Sequence, residues 1–87
     1  MLYSFRWGEH YWMVDVNMDC SETEDGWFEL KALITGGWGW ENDVTQDVTC
    51  SGTAGGSAPY RNGNHLARCG YINVFYVNEG RCQIDNF

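Results

Sequence analysis

Four cysteines, at positions 20, 50, 69 and 82, constrain this 87-residue chain more than any other feature. A domain this short buries little surface, and small domains with an even set of cysteines commonly use disulfides to make up the deficit. Zinc is the competing use. No pair here is spaced C-x-x-C, however, and neither His10 nor His65 lies near a second ligand in a familiar pattern. Disulfides are therefore expected, with no metal and no cofactor, and with them a secreted or extracellular location. The opening stretch Met1 to Trp7 lacks the apolar run of a signal peptide. The expectation is thus a leader already removed or a domain taken from a longer protein.

The strand signals are local. Trp12, Val14, Val16 and Met18 alternate with Tyr11, Met13, Asp15 and Asn17, which reads as a strand over 11–18 with Trp12 on its apolar face. An acidic turn from Asp19 to Gly26 follows, and its Asp25-Gly26 pair is a strong hairpin signal. Phe28, Leu30, Ala32 and Ile34 then alternate with Trp27, Glu29, Lys31 and Leu33, predicting a second strand antiparallel to the first. Glycines 36, 37 and 39 surround Trp38 and Trp40 and place those indoles in or beside a loop, with a short strand near 44–48. Residues 51–64 carry the only proline, Pro59, and read as the longest loop. A last hairpin joins 70–77 to 81–86 through Asn78-Glu79-Gly80, with Gly80 in the left-handed region. No segment holds a helical period and no linker divides the chain, so 1–87 is expected to be a single domain, a small disulfide-stapled antiparallel β-sandwich of the all-β class.

The last hairpin restricts the cysteine pairing. A turn at 78–80 sets residue 82 opposite about residue 76, and leaves Cys69 about seven residues, ~23 Å, along the strand. That exceeds the ~7 Å limit on Cα separation in a disulfide. Of the three pairings, the one containing Cys69–Cys82 falls. The pairing preferred here is Cys50–Cys69, closing the long loop, with Cys20–Cys82.

The charge balance is 12 Asp+Glu against 5 Lys+Arg, a net −7, which opposes docking to nucleic-acid phosphates or to an anionic membrane surface. No apolar run approaches the ~20 residues of a membrane span. Aromatic residues make up 16 % of the chain, with 5 Trp, and Trp38 and Trp40 are followed by Glu41, Asn42 and Asp43. An indole offers a flat apolar face to a pyranose ring while Lys31, Glu41 and Asn42 supply donors and acceptors for hydroxyls. The alternative role for these rings is packing at a sheet edge.

Three stretches carry a resemblance: Gly8 to Cys20, Gly26 to Ala32, and Gly63 to Phe75. Together they resemble the carboxy-terminal extension that follows the catalytic and β domains of some secreted α-amylases, especially those of invertebrates, over about residues 8–87. More loosely, a strand ending in Glu-x-Lys and then Trp-Glu-Asn resembles starch-binding modules of the type found on glucoamylases. The resemblance implies a surface site for α-1,4-glucan at Lys31, Trp40, Glu41 and Asn42. The chain departs from that pattern in the extra Trp38-Gly39 and in its four cysteines.

The remaining constellations are weaker. Asp19, Glu22, Glu24 and Asp25 offer oxygens for Ca²⁺, yet 15–26 fails the EF-hand pattern, having Cys20 where Gly is required and Gly26 where Glu is required. A solvated acidic turn is the expectation. Glu9-His10 and Asn64-His65 lack a nucleophile, base and orienting group, so no enzyme is expected. Tyr60, Arg61 and His65 either line a ligand groove or pack the long loop on the sheet. The functional expectation is a non-catalytic carbohydrate-binding module for starch or glycogen, serving an attached or partner glycoside hydrolase. The alternative is a secreted structural or protein-interaction domain that uses exposed rings for self-assembly.

Overall fold

The computed structural model describes residues 2–6, 12–34, 37 and 39–87. The described residues are all-β, with strands β1 (Leu2–Arg6), β2 (Trp12–Val16), β3 (Trp27–Leu30), β4 (Leu33–Ile34), β5 (Gly39–Trp40), β6 (His65–Arg68), β7 (Ile72–Phe75) and β8 (Cys82–Asp85). They form two-stranded antiparallel ladders, β1 with β2, β3 with β6, β4 with β5 and β7 with β8. A 3-10 turn, Cys20–Glu22, is capped by Asp19, whose carboxylate accepts from the Ser21 N–H. These bonds from Ser21, the hydroxyl contact first, hold the Asp19 carboxyl below its ordinary value.

Strand pairing departs from the sequence expectation. β2 takes β1 as its partner, with Leu2 opposite Val16, instead of the strand that follows it. The stretch read as one strand over 27–34 is broken at Lys31-Ala32, because its first half pairs with β6 and its second half folds back on β5. Asp25-Gly26 does make the tight turn its residues predict. Both sit at positive φ, 53° and 90°, the geometry of a type I′ turn, between the paired Glu24 and Trp27. In the last hairpin Phe75 stands opposite Cys82, one position from the expected register. There the left-handed residue is Asn78, at φ 63°, and Gly80 is outside that region.

The segment 44–48, expected as a short strand, forms none. It docks through a side chain instead. Buried Gln46 donates its Nε2–H to the Leu66 carbonyl at 3.0 Å and accepts the Leu66 N–H on Oε1 at 2.7 Å, so one amide copies a ladder step beside β6. Because this segment and β3 flank β6, three consecutive residues there, His65, Leu66 and Ala67, are buried.

The disulfides are Cys20–Cys69 and Cys50–Cys82, with Cα separations of 5.6 and 4.9 Å. This corrects the preferred pairing of Cys50 with Cys69 and Cys20 with Cys82. Cys69 directly follows β6, where its N–H donates to the Gly26 carbonyl and brings it to the turn holding Cys20. The chain then turns before β7, and Asn73 closes that turn by bonding the Arg68 N–H and carbonyl. Cys82 meets Cys50 because Ser51 pairs in parallel with Gln83 and donates to the Cys82 carbonyl. The inner disulfide joins Trp27, Leu66 and Ile84 in the core, against which Ala54, Ala58, Tyr60, Tyr71 and Phe75 pack. Trp27, grouped with Glu29 and Lys31 on the less apolar side of its strand by its period, is a core residue at 5 % exposure. The expected core role of the Trp12 side chain lies outside the described side chains.

Candidate functional site

The segments 31–34 and 39–43 bring most of the sequence-selected residues together. Leu33 stands opposite Trp40, and the Glu41 N–H donates to the Ala32 carbonyl at 2.9 Å, so the pairing runs one step past the two-residue ladder. Side chains alternate along paired strands. Leu33 and Trp40 therefore share one face, and Ala32 and Glu41 the other. Burial agrees: Trp40 is 63 % and Leu33 56 % exposed, whereas Glu41 is 5 % exposed. Lys31 and Asn42 adjoin this short ladder, Lys31 two residues before Leu33 and Asn42 two residues after Trp40.

The polar groups next to Trp40 in the chain are ordered. Lys31 Nζ bonds Asp43 Oδ1 at 2.6 Å, which holds the Asp43 carboxyl below its ordinary value through the hydrogen bond and the charge. The Asn42 side chain is exposed, while its backbone N–H donates to Asn78 Oδ1 at 2.8 Å. An exposed indole flanked by an amide and an ion pair can stack on an apolar ring face and hydrogen-bond the hydroxyls around it.

Glu41 and His65, expected among the ligand-binding residues, have their side chains buried beneath this surface. The Glu41 carboxylate accepts the Ala32 N–H on Oε1 at 2.9 Å, and on Oε2 it accepts His65 Nε2–H at 2.9 Å and the Asn78 N–H at 3.0 Å. Burial pushes this carboxyl up, but the bonds from Asn78, Ala32 and His65 outweigh it and hold it below the ordinary value. His65, 4 % exposed, packs its ring 4.9 Å from that of Phe75, and its Nδ1 has no partner among the described residues. Period two carries the missed signal: with Trp40 facing out, its neighbour Glu41 must face in.

Tyr60 is half-buried against the core, and burial, then the charges of Glu29 and Glu24, raise its phenol above the ordinary value. It belongs to the packing of the long loop, where Arg61 also donates to the Gln46 carbonyl at 2.8 Å. Trp38 lies outside the described residues, as does His10. Asn78 and Leu33 were not selected from sequence as site residues, the first because it reads as a turn residue and the second because it reads as part of a strand. Among the described residues no helix is long and apolar enough to cross a membrane. Comparisons with family models, with curated proteins and with solved structures found no match.

Proposed function

We propose that the chain is a non-catalytic glycan-binding module whose contact surface is the face bearing Trp40, Asn42 and Lys31, and that its ligand is an α-glucan of the starch or glycogen type. The observation that carries this reading is the exposure of Trp40 beside ordered polar groups, while its sequence neighbour Glu41 is anchored below. An indole held out from a fixed backbone is the arrangement that stacking on a sugar requires, and each such ring contributes about 1 kcal/mol. One site of this kind binds weakly, and attachment to a hydrolase would add avidity. The similarity of Lys31 and of Trp40-Glu41-Asn42 to the starch-binding pattern supports the choice of glucan, as do the two disulfides for an extracellular setting. Depletion from solution by granular starch, compared with cellulose and chitin, tests the reading. Retention on starch above the other two is expected, and retention on none of them contradicts it.

A second reading draws on Leu33, whose exposed aliphatic side chain faces outward with Trp40. A paired aliphatic and aromatic surface also suits a protein partner or a second copy. Sedimentation over a concentration series separates the two. Self-association unaffected by oligosaccharide favours the protein interface.

A further inference from the structure

We propose that Glu41 and His65 form a buried latch that positions the Trp40–Asn42 face from beneath and opens in acid. The structural part stands on the bonds of these two residues, and its effect on binding rests on the glycan reading.

Glu41 lies between the two residues that reading uses, Trp40 and Asn42. Its carboxylate joins three separate segments: Ala32 before β4, His65 on β6, and Asn78 in the turn between β7 and β8. Asn78 in turn accepts the Asn42 N–H on its side chain, so the same turn residue holds both the Glu41 carboxylate and the backbone of the next residue. Two of the three donors to Glu41 are backbone N–H groups and the third is a ring nitrogen more than nine-tenths buried. A carboxylate can accept all three. A carboxylic acid spends one oxygen as a hydroxyl donor and meets N–H groups there with nothing to accept them.

The charged groups on the surrounding segments are committed elsewhere. Glu29 on β3 accepts from Asn64 at 2.8 Å, Lys31 is tied to Asp43, Arg61 donates to the Gln46 carbonyl, and Glu79 lies 3.6 Å from Arg81. Phe75 covers the His65 ring. Proton uptake at Glu41 therefore acts directly on its three donors, the Ala32 and Asn78 N–H groups and the His65 ring. Since its folded value is lowered, the latch's stabilisation is complete above the unfolded carboxyl value of about 4.3 and is lost as pH falls through the lower folded value.

The test follows backbone amide resonances of the full chain from about pH 7 to about pH 3, with maltoheptaose affinity measured at each point. The Ala32 and Asn78 amides are expected to shift together and lose exchange protection with one midpoint below the ordinary Glu range. The Ile84 amide, bonded to Ser51 within the disulfide-stapled core, is expected to remain protected. Maltoheptaose affinity is expected to fall about tenfold over the same interval. In Glu41→Gln the two amide positions should no longer titrate together, and binding should be weakened already at neutral pH. Ala32 and Asn78 signals that stay fixed, move independently, or disappear with Ile84 in one global transition overturn the latch. These wild-type titrations decide the matter even where the variant fails to fold. Absence of maltoheptaose binding at every pH overturns the glycan reading instead, and the amide titrations then still decide the latch.

Discussion

Gly80 has no room for a side chain: an added Cβ would run into the Thr45 carbonyl, and the Gly80 carbonyl itself accepts the Asp47 N–H at 2.8 Å. The glycine was legible as part of a turn, but its reason was not, because the constraint comes from a segment more than thirty positions away in the chain. Gly80→Ala should therefore destabilise by about 1–3 kcal/mol, the usual cost of forcing atoms into a filled site. Thermal melts check this, and a drop of several degrees or more is expected for a domain this size. An unchanged midpoint would mean that Thr45 can yield. Glu41 teaches the same lesson with opposite chemistry. Its type suggested a hydroxyl partner, and only its position next to an outward Trp40 reveals that it must serve three donors inside the fold.

Among the elements, the stretches with clear alternation or strong turn residues were legible, such as β2, the Asp25-Gly26 turn and the β7–β8 hairpin. β6 was not, because His65, Leu66 and Ala67 are all buried and leave no alternation to read. Its absence from the sequence reading then displaced Cys69, and with it the disulfide pairing. The two bridges differ in setting. Cys50 and Cys82 are 3 % and 2 % exposed, whereas Cys20 is exposed and Cys69 half-buried. Thiolate attack needs access to a sulfur. Limited reduction followed by alkylation and mass mapping should label Cys20 and Cys69 first, with Cys50 and Cys82 protected until the core opens. Loss of the inner bridge should cost about 4 kcal/mol on chain entropy. Labelling of Cys50 and Cys82 first, or of all four together, would contradict this order.

Over the whole molecule the net charge is −7, and among the described side chains positive charge is occupied locally. Lys31 meets Asp43, Arg81 lies over Tyr76 and near Glu79, and Arg68 rests 4.5 Å from the Tyr71 ring centre and 5.9 Å from that of Trp27. Such a surface suits a neutral ligand recognised by ring stacking and hydroxyl contacts better than a polyanion. The all-β class and the need for disulfides were visible in composition and spacing. How four small ladders combine was not, since period two reports a face and never a partner.

The most direct test of the central claim is a pair of starch-binding isotherms, for the wild type and for Trp40→Ala, each accompanied by a thermal melt. Trp40 contributes exposed area and no core packing, so its removal should leave the melting midpoint within a few degrees. Binding should weaken by about tenfold, equivalent to ~1.4 kcal/mol. A variant that unfolds, or one that keeps both its stability and its full affinity for starch, would contradict the placement of the site on this face.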